Sequence, residues 1–133
     1  MPTLIDLLLT SEAFSVLARL VLTSFFWIAG LFGVMKFGMI VASVRRAGLP
    51  WPTVIAGMMI VTELGGSFLL VTNWQSLGWL GAGWLGVFTF LSIPLGHPFW
   101  KFEQPRKMEE FQIAMEHIAV VGGLMCAAAL LAR

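Results

Sequence analysis

The chain has 133 residues, 59% of them hydrophobic and 11% charged, with a mean hydropathy of +0.90, more apolar surface than one small water-soluble core hides, which leaves a bilayer as its solvent. Eight Lys and Arg against seven Asp and Glu leave a net charge of +1, too weak a field to hold nucleic acid or to draw acidic substrates. The length accommodates about four crossings of roughly 20 residues with short connections, which predicts a single transmembrane domain over residues 1–133 and no separate soluble one.

At the N-terminus, Pro2 to Leu9 forms a brief amphipathic stretch, too short to span and suited to the interface. Asp6 and Glu12 stand where a secretory leader carries basic residues, so this start is expected to be retained. The first span is predicted over residues 13–35, interrupted by Arg19 and by small hydroxyl residues that a membrane helix satisfies through its own carbonyls. Its helical pattern continues to Val44 and stops at Arg45-Arg46 and the Ala47-Gly48-Leu49-Pro50-Trp51-Pro52 run, where proline removes donors and disfavours helix at the residue before it. A second span follows at about 51–71, a third at 77–94 after the tight Thr72–Ser76 connection, and a fourth at 111–132 after a Pro98- and Pro105-containing loop. The fold class is therefore an all-α integral membrane four-helix bundle whose short loops force antiparallel neighbours. Gly78, Ala82 and Gly86 recur every four residues in the third span, and Ala119, Gly123 and Ala127 do so in the fourth. With Gly65, Gly66 and Gly122, these supply flat surfaces for helix packing. The single Cys126 has no second thiol for a disulfide or a metal, and it is expected to be a small packing residue.

Basic residues cluster in two connections, Lys36, Arg45 and Arg46 in one and Lys101, Arg106 and Lys107 in the other. Both connections, 36–50 and 97–110, are expected to face the cytoplasm, with the termini outside. Trp51 and Trp100 then mark one interface, and Trp74 and Trp79 the other.

Arg19, Glu63, Glu116 and His117 fall where lipid should be. A lone charge near mid-bilayer costs at least about 2.5 kcal/mol, so these side chains are expected to point inward and to be paired. Counting about 1.5 Å per residue puts Arg19 about 8 Å and Glu63 about 14 Å deep from one side, which predicts an Arg19–Glu63 pair. From the other side Glu116 and His117 lie roughly 8–9 Å in, level with an extended Lys36. A carboxylate beside an imidazole suits proton exchange or the grip of a quinone carbonyl, whereas internal ion pairs that only fix helix register explain the same residues structurally. A metal site is not expected, because adjacent Glu116 and His117 point about 100° apart on a helix. His97 is expected to sit at the interface and ligate nothing.

Arg19-Leu20, Ala47-Gly48-Leu49-Pro50, Glu63-Leu64-Gly65-Gly66 and Glu116-His117 followed by Gly122-Gly123, in that order and spacing, make the chain resemble the DoxX-like membrane family over roughly residues 18–130. The resemblance implies a small four-helix bundle of bacterial cytoplasmic (inner) membranes, linked to oxidoreductase systems such as quinone-coupled sulfur oxidation and redox-stress complexes. Arg19, Glu63, Gly65, Gly66 and the Gly122-Gly123 pair occupy matching positions. One departure concerns a lysine that the family often places shortly after the glycine closing the first span. A gapless match puts Gly33 there and Lys36 where an acid is usual, so no role carries over to Lys36.

Three functions compete. The first is a membrane subunit or anchor of a redox system that docks a protein partner and holds a quinone near Glu63, Glu116 and His117. With one Cys and no haem-ligand pair, such a chain carries no intrinsic cofactor and is not expected to catalyse electron transfer alone. The second is a non-catalytic scaffold or assembly factor. The third, a small proton-coupled transporter, would use an intramembrane carboxylate but lacks the inverted repeat and broken helix pair of such folds.

Overall fold

The computed structural model describes residue 1 and residues 3–133. Pro2, at the head of the expected N-terminal amphipathic stretch, lies outside the described residues. The described chain is all-α and contains, in order, α1 (Leu4–Leu9), α2 (Glu12–Met35), α3 (Phe37–Arg46), α4 (Pro52–Thr72), α5 (Gly78–Gly96) and α6 (Arg106–Leu131). Four of these, α2, α4, α5 and α6, are long and apolar enough to cross a membrane.

Helix α1 is held by a reciprocal cap. The Thr3 hydroxyl accepts the Asp6 N–H at 3.1 Å, while the Asp6 carboxylate accepts the Thr3 hydroxyl at 2.7 Å and its N–H at 2.9 Å. Those bonds, the side-chain one first, hold the Asp6 carboxyl below its usual value of 3.8. A group with a lowered pKa stabilises fully above the usual value and loses that contribution as pH falls through the lowered one. Acidification below 3.8 should therefore fray α1 while α2 persists, read as loss of helical carbon chemical shifts at residues 4–9.

The first long helix stops at Met35, and the helix expected to run on to Val44 is broken at Lys36, whose φ of −126° and ψ of 47° are not helical. A straight continuation would carry the Arg45-Arg46 pair beyond the apolar layer and leave Val44 without a neighbour. The break instead lays α3 against α4 and buries Val44. At the opposite end of the bundle Asn73 closes α4 in the left-handed region, and its Oδ1 accepts the Gly78 N–H at 2.8 Å, so one side chain stops α4 and caps the start of α5. The last helix begins at Arg106 rather than near residue 111, because Arg-Lys-Met-Glu-Glu are good helix formers that need not enter lipid to be helical.

The packing order is α2 against α4, α4 against α5 and α5 against α6, with α2 and α6 in lighter contact. The core is Phe26, Leu70, Ala82, Leu85 and Leu124, flanked by Leu22, Phe88 and Val120. The closest approach is between α4 and α5. A Cβ on Gly81 would stand 2.7 Å from the Gly66 carbonyl oxygen and 2.8 Å from the Leu70 nitrogen, so only glycine fits. Gly66 meets Leu85, Gly78 meets Leu131, and Ala82 is buried, while Gly86 is half-buried. Gly65 faces the Trp84 ring and Gly123 faces Leu22, but Gly122 borders open space and both Ala119 and Cys126 are exposed. Ala119, Gly122 and Cys126 thus form an exposed small-residue strip on α6, flanked by the exposed Ile118 and Met125. Trp51 and Trp100 are exposed at one end of the bundle, with Trp74 and Trp79 exposed at the other.

Candidate functional site

Polar side chains collect at two levels of the bundle. Toward the end that carries both termini, Arg19 is buried on α2, where its stem leans toward the helix N-terminus as helical side chains do. Its guanidinium donates to the Ser15 carbonyl at 3.2 Å, to the Leu70 carbonyl of α4 at 3.3 Å and to the Glu12 carboxylate at 3.0 Å. The expected Arg19–Glu63 pair is not formed. The antiparallel register sets Gly30 of α2 beside Glu63 and Leu64, and Gly33 beside Ile60. Arg19 therefore lies about 16 Å further along α2 from the level of Glu63. Depth counted separately from two helix ends misses this offset, because α2 starts beyond the end of α4. Glu12, 83% exposed in its side chain, holds the guanidinium at the interface instead.

Glu63 itself is 8% exposed and makes no ion pair among the described residues. Lys36 is exposed, and Glu116 points outward, with only a 3.5 Å contact from the Gln112 amide. The expected cluster of Lys36, Glu116 and His117 is accordingly not assembled. Adjacent residues on a helix diverge by about 100°, so His117 turns inward and Glu116 turns away.

The inward-facing His117 meets a residue that the sequence placed merely at the interface. The rings of His97 and His117 lie edge to face, 5.0 Å between centroids, and Phe25 of α2 lies edge to face with His117 at 6.1 Å. His97, just past the end of α5, pairs through Nδ1 with Glu110 of α6 at 2.7 Å. Arg106, stacked over the Phe102 ring, faces the second oxygen of that carboxylate at 3.8 Å. His117 Nδ1 donates to the Ile113 carbonyl at 2.8 Å. Glu110 was not singled out from sequence, although a signal exists: Glu110, Ala114 and His117 repeat at four and three residues along α6, one inward stripe. No group of three His, Cys, Asp or Glu among the described residues is placed to hold a metal ion.

Beside His97 lies a cavity of about 420 Å³ between α3, α4 and α5. Ile55, Met58, Met59, Phe88, Leu91 and Leu95 supply its apolar walls, and Ser43, Thr62, Ser92 and His97 its polar atoms. None of the first three polar residues stands out in sequence, because isolated Ser and Thr are ordinary in membrane helices. The residues that close the cavity on the α3 side come together only because the helix breaks at Lys36.

Fold and polar cluster together define a multi-pass membrane protein of the four-helix type with a histidine-lined pocket at one end of the bundle. The pattern of the DoxX family matches residues 14–98, most of the chain, and the protein belongs to that family. The matched stretch includes Arg19, Glu63 and His97, while Glu110 and His117 on α6 lie past its end. No curated protein and no solved structure matches the chain.

Proposed function

We propose that this protein is the membrane subunit of a quinone-linked redox system and holds a quinone head group in the cavity between α3, α4 and α5. The observation that carries the reading is the cavity itself. Its volume of about 420 Å³ falls in the range of small-molecule sites, which are mostly apolar with a few fixed polar groups. Apolar walls suit a substituted ring and the start of an isoprenoid tail, and His97, held by Glu110, offers a proton acceptor next to the ring oxygens. Reduction of a quinone takes two electrons and two protons and yields the hydroquinone. The single Cys126 is exposed on α6, so the electrons come from a partner protein carrying a flavin or an iron–sulfur centre. That partner docks at the basic end, which we place in the cytoplasm with the bundle in the inner membrane as one domain and both termini outside. Among the residues singled out from sequence, His117 backs this site and Glu63 follows the cavity residue Thr62. Arg19 ties α2 to α4 at the far end, and Lys36 and Glu116 remain available to a partner.

Protein extracted from native membranes in a mild polymer and analysed by mass spectrometry should carry a quinone in near-stoichiometric amount. Absence of quinone, together with quinone-linked respiration unchanged on deletion, would overturn the reading. The exposed small-residue face of α6 around Ala119, Gly122 and Cys126 favours a second function, a scaffold that packs against another membrane helix. In that case deletion would dissolve a complex without changing quinone content.

A further inference from the structure

The hydrogen bonds around the cavity fix more than its shape. A carboxylate only accepts, so the 2.7 Å contact between His97 Nδ1 and Glu110 places the ring hydrogen on Nδ1. In the neutral tautomer that this bond selects, the one polar ring atom left is Nε2, which carries a lone pair and no hydrogen. Nε2 has no partner among the described residues, and His97 lines the cavity. One serine hydroxyl points the same way. Ser92 donates its hydrogen to the Thr89 carbonyl at 2.7 Å and leaves its lone pairs free, whereas Ser43 donates to the Met39 carbonyl at 3.1 Å and already accepts from the Arg46 guanidinium at 3.1 Å. Two of the four polar side chains that line the cavity, His97 and Ser92, are thus set to accept. Thr62 alone keeps a hydroxyl hydrogen free of a partner among the described residues.

We propose that the cavity selects by redox state, with His97 Nε2 accepting a hydrogen bond from a ligand hydroxyl, so that the hydroquinone is bound in preference to the quinone. The inference rests on the quinone reading above and adds to it a direction and a residue. A quinone offers two carbonyl oxygens and no donor, and against His97 Nε2 and the Ser92 oxygen these go unpaired. The hydroquinone offers two O–H groups at the same positions. A buried acceptor left without a donor loses its hydration with nothing in return, which sets the scale of the discrimination. Glu110 acts here as a positioning residue, holding the tautomer that leaves Nε2 bare. The groups facing His97 are Glu110 and His117 of α6, with Arg106 behind Glu110, and His117 spends its own Nδ1 hydrogen on the Ile113 carbonyl. None of these supplies a hydrogen to Nε2.

The test is equilibrium dialysis of the full chain in lipid nanodiscs against tetramethylbenzoquinone and, under argon with a reductant, its hydroquinone. The expected result is roughly tenfold tighter binding of the hydroquinone. For a two-electron couple that raises the bound potential by about 30 mV. His97→Gln presents both a donor and an acceptor, and it should bring the two affinities within about twofold of each other. Glu110→Gln frees the His97 tautomer and should lower the preference in the same direction. Equal affinity for both forms in the unaltered protein, or a preference untouched by both substitutions, overturns this inference and leaves the quinone site standing. Failure of the unaltered protein to bind either form overturns the quinone reading and the inference with it.

Discussion

Substitution of Gly81 by leucine should lower the stability of the bundle by about 3 kcal/mol, the upper end of the usual cost of overpacking. The reason is the identity of the atoms in the way. A Cβ at Gly81 meets the Gly66 carbonyl oxygen at 2.7 Å and the Leu70 nitrogen at 2.8 Å, both main chain, so relief requires α4 and α5 to move apart. Gly66 is closed off differently, by the Leu85 side chain at 2.7 Å, which is able to change rotamer. Gly66→Ala should therefore cost distinctly less than Gly81→Ala. Gly83→Ala supplies the control, because nothing lies within 4 Å of its Cβ and alanine is the better helix former by about 1 kcal/mol. Steric trapping in bicelles would measure all four proteins, and equal stabilities for Gly81→Ala and Gly83→Ala would refute the close approach of the two backbones.

Replacing Glu63 by methionine, close to it in shape, should make the protein more stable, by about 2 kcal/mol. A carboxyl set among membrane helices without an ion-pair partner costs that order of free energy, and an apolar residue of similar volume removes the cost. A register-fixing ion pair predicts the reverse, since removing one member strands the other. The geometry decides between them: Glu63 has no cation in ion-pair range among the described residues, and Arg19 is already shared between Glu12 and the Leu70 and Ser15 carbonyls. A residue that lowers stability where it stands is the kind that proteins keep for function. The same trapping measurement applies, and a loss of stability in the methionine variant would mean that the Glu63 carboxylate has a partner that holds the bundle together.

The architecture was legible in the sequence because the signals for it are local. Long apolar runs, the Pro50-Trp51-Pro52 stop and the short Thr72–Ser76 connection each act within a few residues, and the observed helix ends fall within two residues of expectation for α4 and α5. Helix α6 departs at its start for an equally local reason, since hydropathy reports where lipid begins while Arg106–Glu110 are helical without lipid. The site was less legible because it depends on register and azimuth between helices. Arg19 and Glu63 stand out in the sequence as charged residues within apolar runs, yet their separation is set by how far α2 slides along α4, which neither segment encodes alone. Glu116 and His117 are neighbours in sequence and opposites in space. His97 and Glu110 are thirteen residues apart, across a loop with two prolines, and no periodicity connects a loop residue to a helix face.

The break at Lys36 carries one more implication. Ser43, Val44 and Ala47 at the end of the short helix after it form one side of the cavity, whereas the core of Phe26, Leu70, Leu85 and Leu124 belongs to the long helices alone. Access to the pocket and persistence of the fold therefore have separate owners. Loosening of this ten-residue helix between its break at Lys36 and the turn that leads into the next long helix would open one wall of the cavity at a free energy below that of global unfolding, while the four long helices stay packed.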